Sequence, residues 1–199
     1  MFRFRDGRQG AWVSRVPAPL AAMGLMLLMF LTVGTLAAQE SGAVEASPNM
    51  PSLDYDGFLK ATLAITRDMR DVEQAFRRMV FNVLARNRDD HVRQHAYLMD
   101  ERGEWRLAPA FDLTFANGPG GEHYMAVEGE GHAITHRHVE TLGLRHGIAQ
   151  KRIAEIVEAV RDALGDWPRH ARATGVGASL ATVSGGLEQM DRQFQGSKD

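Results

Sequence analysis

Two acidic positions with an amide between them carry the chemistry this sequence could do. Asn87-Arg88-Asp89-Asp90-His91-Val92-Arg93-Gln94 is followed, beyond a turn-forming stretch, by Pro109-Ala110-Phe111-Asp112. Kinase-type phosphoryl transfer uses an Asp beside the acceptor hydroxyl, an Asn five residues later for a second Mg²⁺, and a further Asp after a hairpin for the main Mg²⁺. Asp89 and Asp112 stand in that order, and Gln94 occupies the amide position. An acidic loop after a helix also serves as a solvated cap, so spacing alone leaves both readings open.

The histidines offer rival chemistry. His132, His136 and His138 share one segment and His91 and His95 are four apart, so either group could face one way and hold a divalent metal such as zinc. No His-Glu-x-x-His accompanies them, and surface or capping roles explain them equally. Without cysteine there is no disulfide framework, zinc ribbon or thiol nucleophile.

Positioning these residues requires helices on both sides. Phe58, Leu59, Thr62 and Leu63 suggest a short helix, and Val72, Ala75, Phe76, Met79, Val80, Val83 and Leu84 recur at helical spacing over a long one. Asp71 with Gln74 reads as its capping box, with Asp68 as a start one turn earlier. Residues 95–99 and 104–108 flank Asp100-Glu101-Arg102-Gly103 and should pair as a β-hairpin, with Gly103 at the positive-φ position. Trp105 and Phe111 are expected to pack that hairpin onto the long helix. A glycine-rich loop follows from Gly118 to Gly131. Two further stripes, Ile153 to Leu164 and Leu180 to Phe194, predict helices, the first broken by Gly165 and Pro168.

At this point the sequence resembles a family. Phe81-Asn82-Val83-Leu84, Asn87-Arg88-Asp89-Asp90-His91 and Trp105-Arg106-Leu107-Ala108-Pro109-Ala110-Phe111-Asp112-Leu113-Thr114 resemble the C-terminal region of HipA-like serine/threonine kinases, toxins of type II toxin–antitoxin pairs. The resemblance covers about residues 52 to 195. It implies a mainly α, protein-kinase-like C-lobe with a small β-hairpin and no N-lobe. Asp89 would be the catalytic Asp and Asp112 the Mg²⁺ ligand, with ATP and Mg²⁺ as cofactors. Asn87, Arg88, Asp90 and His91 would support the loop, Asp90 and His91 by hydrogen bonding, while Arg88 could pair with Asp112, with Asp90 or with a phosphate. A helix-turn-helix antitoxin is the implied partner, and the protein substrate is undefined.

Two departures bear on activity. Gln94 stands where the family has Asn, which moves the amide carbonyl one methylene outward and loosens a second metal position. The only lysines are Lys60, Lys151 and Lys198, none in a Val-Ala-Ile-Lys-like strand, and no Gly-x-Gly-x-x-Gly precedes Asp89. The expectation is therefore a truncated or inactive copy. The alternatives are a non-catalytic module that holds an antitoxin, and an exported or anchored metal-binding protein.

The last alternative rests on the leader. Arg3, Arg5, Arg8 and Arg15 stand against Asp6 alone, and Val16 to Ala38 carries no charge, which reads as a signal peptide, an anchor or a misplaced start within residues 1–38. Membrane contact through residues 16–38 opposes the cytoplasmic location implied by the family. Residues 39–51 read as a linker, and 52–199 as the domain. A formal charge of -2 over 199 residues argues against nucleic-acid binding by bulk basicity.

Overall fold

The computed structural model describes residues 53–175 and 177–196, so the leader and the linker lie outside the described residues. Among the described residues six α-helices and one hairpin follow in order: α1 (Tyr55–Thr66), α2 (Met69–Leu84), β1 (Tyr97–Met99), β2 (Trp105–Leu107), α3 (His136–Arg145), α4 (Gln150–Gly165), α5 (Trp167–Ala173) and α6 (Gly177–Gln195). The domain is thus mainly helical with a two-stranded antiparallel sheet, as the sequence implied.

Helix α2 is the axis of the core. Its apolar stripe is completed by the buried face of α1 (Tyr55, Phe58, Leu59) and by Ile153, Ile156, Val157 and Val160 of α4. Phe194 of α6 closes the same cluster. Burying these side chains contributes on the order of 1.5–3 kcal/mol each before chain entropy is counted. Trp167, Ala171 and Val183 make a second, smaller cluster, onto which Phe115 and Leu187 pack.

Several local expectations need correction. Helix α2 starts one turn before Asp71: Asp68 is the N-cap, its carboxylate accepting from the Arg70 N–H at 2.9 Å. Asp71 instead accepts from the Leu107 backbone N–H and so ties β2 to the helix. The hairpin is shorter than its apolar pattern, with Tyr97 opposite Leu107 and Met99 opposite Trp105. Gly103 does take a positive φ, +81°, and the Asp100 carboxylate accepts from the N–H groups of Arg102 and Glu104 to fix the turn.

Trp105 and Phe111 are not the packing residues. They are 41% and 37% exposed, whereas Tyr97 and Leu107 meet the core. Residues 97, 99, 105 and 107 share one face, but Met99 and Trp105 lie nearer the turn, where the helices no longer cover the sheet. Pro168 does not end the run of helices but opens α5 at its first turn, where its missing N–H costs nothing. Helix α3 has no counterpart among the sequence expectations, because its buried face is short: Val139, Leu142 and Gly143.

Two helical glycines are close-approach positions. A Cβ on Gly143 would fall 2.6 Å from Ile153 Cδ1 and 2.9 Å from Phe76 Cε2, so α3 approaches the core only because position 143 has no side chain. A Cβ on Gly186 would lie 2.4 Å from Phe115 Cζ, so this ring fills the notch in α6. Gly143→Ala is therefore expected to destabilise the fold by about 1–3 kcal/mol through overpacking. A urea unfolding curve measures this directly.

Candidate functional site

The loop that leaves α2 is held by a buried chain of polar groups. The Asp90 carboxylate, fully buried, accepts from the Tyr55 hydroxyl at 2.7 Å, His123 Nδ1–H at 2.8 Å and the Tyr124 N–H at 2.9 Å. Tyr55 Oη in turn accepts from Asn82 Nδ2 at 2.9 Å, and Asn82 Oδ1 accepts from Asn87 Nδ2 at 3.0 Å. Burial and the neighbouring Asp90 charge push the Tyr55 phenol well above its ordinary range, so it remains a donor. Backbone bonds from the Arg88 N–H to Ala116 O and from the Ala116 N–H to Arg86 O join the loop to the strand-like stretch after Asp112.

This frame leaves Asp89 free to face outward. Asp89 Oδ1 lies 3.8 Å from His91 Nε2, and His91 Nε2 lies 3.4 Å from Gln94 Nε2. Gln94 Nε2 donates to Asp112 Oδ2 at 2.5 Å. Asp89, His91, Gln94 and Asp112 therefore follow one another as near neighbours. Burial raises the Asp89 pKa; His91 opposes this, and the charges of Asp112 and Asp90 add to it. A carboxyl shifted upward is better matched to accepting a proton from a hydroxyl.

Asp112 adopts φ +52°, a left-handed conformation that Asp tolerates better than most residues. The turn aims its carboxylate back toward the short 3₁₀ segment Val92–Gln94. Gln94 uses its amide N–H as donor, because a carbonyl oxygen facing the carboxylate would repel it. Its carbonyl is thereby directed away from Asp112.

Other expectations separate here. Arg88 reaches neither Asp90 nor Asp112; its Nη2 meets His132 O at 3.4 Å. His91 and His95 do not form a pair: His95 stacks on Phe58 at 4.0 Å between centroids and accepts from Arg78 at Nδ1. His138 caps α3 through Thr135, and His136 packs edge-on against Phe194. Among the described residues no group of three His or acidic side chains forms a metal site, which leaves the zinc reading without support. Among the described residues no helix is long and apolar enough to cross a membrane.

Tyr55, Asn82 and His123 are the site residues that spacing missed. Asn82 carried a signal, a polar side chain on the buried face of an apolar helix, whereas Tyr55 and His123 reach Asp90 from 35 and 33 residues away.

Residues 32–167 match the family described as the HipA-like C-terminal domain, a span that includes Asp89, Gln94 and Asp112. The chain belongs to the HipA-like C-terminal domain family. Among solved structures it is similar to a chain of the Shewanella oneidensis MR-1 toxin–antitoxin complex of HipA, HipB and operator DNA, at 14% identity and a TM-score of 0.54. That likeness shows the fold. It covers 69% of this chain but 34% of the other, so the HipA-like domain described here spans about a third of its neighbour's length. No curated protein sequence gives a significant match.

Two measurements test the frame. Tyr55→Phe removes a donor from Asp90 and an acceptor from Asn82 in a buried place, and is expected to cost about 1–3 kcal/mol in urea unfolding. His95 is lowered to about 4, chiefly by burial and then by Arg78. Its unfolded value is about 6.5, so the unfolded chain binds the proton first, and stability present above pH 6.5 is lost as pH falls toward 4. His95→Phe keeps a ring on Phe58 and should flatten the acid side of a plot of urea midpoint against pH.

Proposed function

We propose that this domain is the acceptor- and metal-facing side of a HipA-like serine/threonine kinase, and that residues 1–199 alone do not transfer phosphate. The observation that carries this reading is the neighbourhood in which Gln94 lies between His91 and Asp112, with His91 beside Asp89. Asp89 would accept hydrogen bonding from a Ser or Thr hydroxyl and orient it, its raised pKa suiting it to take the proton. The carboxylate oxygens of Asp112 and Asp89 are the hard donors that Mg²⁺ prefers, so the residues present fit one such ion at Asp112. A Mg²⁺ ion there would offset charge on the phosphates of ATP.

Gln94 does not offer the second position its family counterpart would, since its N–H₂ is spent on Asp112. Lys60, the lysine of this domain nearest the site loop in sequence, pairs with Asp56 on α1. Phosphoryl transfer depends almost wholly on positioning and electrostatic stabilisation, so the acceptor- and metal-facing side tested by itself is expected to give little of the catalysis.

The Gln94–Asp112 bond also favours a second reading, a non-catalytic module. A carboxylate satisfied from within needs no metal, and the domain would then serve by binding a protein, an antitoxin-like helix-turn-helix partner being the candidate suggested by the complex that contains the HipA neighbour.

The experiment combines Mn²⁺ titration, followed by electron paramagnetic resonance, with incorporation of labelled phosphate from ATP. The expected result is Mn²⁺ binding that weakens at least tenfold in Asp112→Asn, with no phosphate incorporated by the full chain or by Gln94→Asn. Absence of Mn²⁺ binding leaves the binding-module reading in place. Incorporation that disappears in Asp89→Ala would refute the claim that the chain lacks activity.

A further inference from the structure

The two-stranded sheet runs out past the helices that cover it. Residues 97, 99, 105 and 107 share one face, and Tyr97 and Leu107 meet the core, whereas Met99 is 57% and Trp105 41% exposed. The α1–α2 turn brings two more apolar side chains to the same edge. Ile65 lies three residues after Thr62 on one side of α1, and Thr62 Oγ1 shares a 2.7 Å hydrogen bond with the Tyr97 hydroxyl. Met69 follows Asp68, whose carboxylate accepts from Arg106 of β2. Ile65 and Met69 are 39% and 40% exposed.

The charged groups at the margin of this surface answer one another, since Asp68 accepts from Arg70 as well as from Arg106. A single exposed apolar side chain is ordinary. Four of them at one edge expose on the order of a few hundred Å², the size of patch that marks an interaction site.

The chain itself supplies an apolar segment of matching character. Residues 20–33 carry no charge and include Met23, Met26 and Met29, side chains that fill irregular apolar surface and suit the edge of an aromatic ring such as Trp105. Its length, its place in the family and its tether all favour this surface over a bilayer. The run is fourteen residues long, short of the roughly 20 that cross a bilayer, and Pro17 and Pro19 precede it. The family match begins at residue 32, inside the run, so the end of the run is shared with the domain rather than added to it. Residues 34–52 can span up to about 60 Å, whereas α1 measures about 18 Å from its start to the turn.

We propose that residues 20–33 pack on the face formed by Ile65, Met69, Met99 and Trp105, so that the uncharged run completes the surface of the domain instead of entering a membrane. Residues 39–51 are then the tether between this run and α1. The inference does not depend on metal binding or on phosphoryl transfer.

Methionine oxidation tests it in the full chain without detergent. Dilute hydrogen peroxide oxidises exposed methionine, and a chain without cysteine offers it no thiol. Met79 and Met190, 0% and 2% exposed, serve as internal standards of burial. Read by peptide mass spectrometry, Met69 and Met99 are expected to oxidise at least tenfold more slowly in the parent than in the double variant Met26→Glu with Met29→Glu, while Met79 and Met190 stay slow in both. If Met79 also becomes fast, the leader variant has not folded, and Met99→Glu with Trp105→Glu replaces it. That pair changes exposed side chains only and should speed amide hydrogen exchange in residues 20–33 at least tenfold. Rapid oxidation of Met69 and Met99 in the parent, or rates unchanged in the leader variant, overturns the proposal. So does protection that disappears on dilution, which assigns the cover to a second copy, and so does a full chain that stays in solution only with detergent or lipid vesicles, which assigns the run to a bilayer.

Discussion

A single buried carboxylate organises this domain. Asp90 cannot be solvated where it lies, so the fold must bring donors to it, and it does so from three directions: the first residue of α1, the His123 side chain and the backbone after it. Because Tyr55 also accepts from Asn82, the same carboxylate fixes where α2 ends and its loop begins. Asp89 is adjacent in sequence and points the other way. The outward residue is positioned by the inward one, and the adjoining acids divide the work of anchoring and of chemistry.

This division explains which parts of the site could be read in advance. The order of Asp89, hairpin and Asp112 was legible because the connection is local and its turn chemistry, Asp100 to Gly103, is carried by four consecutive residues. The orienting role of Asp90 was legible from its place in the loop, but its partners were not, since nothing local marks Tyr55 or His123. The apolar stripes of α2 and α4 identified the core through period alone. Trp105 misled because a strand's alternation specifies a face and not how far the covering layer extends along it. The partner of Arg88 stayed open for another reason: a charge in a loop has several acids within reach along the sequence, and here the chain turns it toward a carbonyl and a thioether.

Gln94 shows how one methylene alters the character of a site. The longer side chain reaches across to the Asp112 carboxylate and ends there as a donor. An acidic residue in a strained left-handed turn would otherwise hold its charge toward solvent, and the amide gives that charge a fixed neighbour. Asp112 thereby gains a fixed donor, and His91 Nε2 stands 3.4 Å from Gln94 Nε2 and 3.8 Å from Asp89 Oδ1.

The notch at Gly186 has a consequence for how this architecture can vary. Phe115 sits three residues after Asp112, and its ring occupies the space that any side chain at 186 would claim. The last helix is therefore part of the foundation of the acidic loop, although it lies beyond the residues matched to the family. Lineages that lengthen, replace or lose this helix must supply another surface for Phe115, or change that residue at the same time. Positions 115 and 186 should accordingly vary together, a large ring paired with glycine or a smaller side chain paired with alanine or serine.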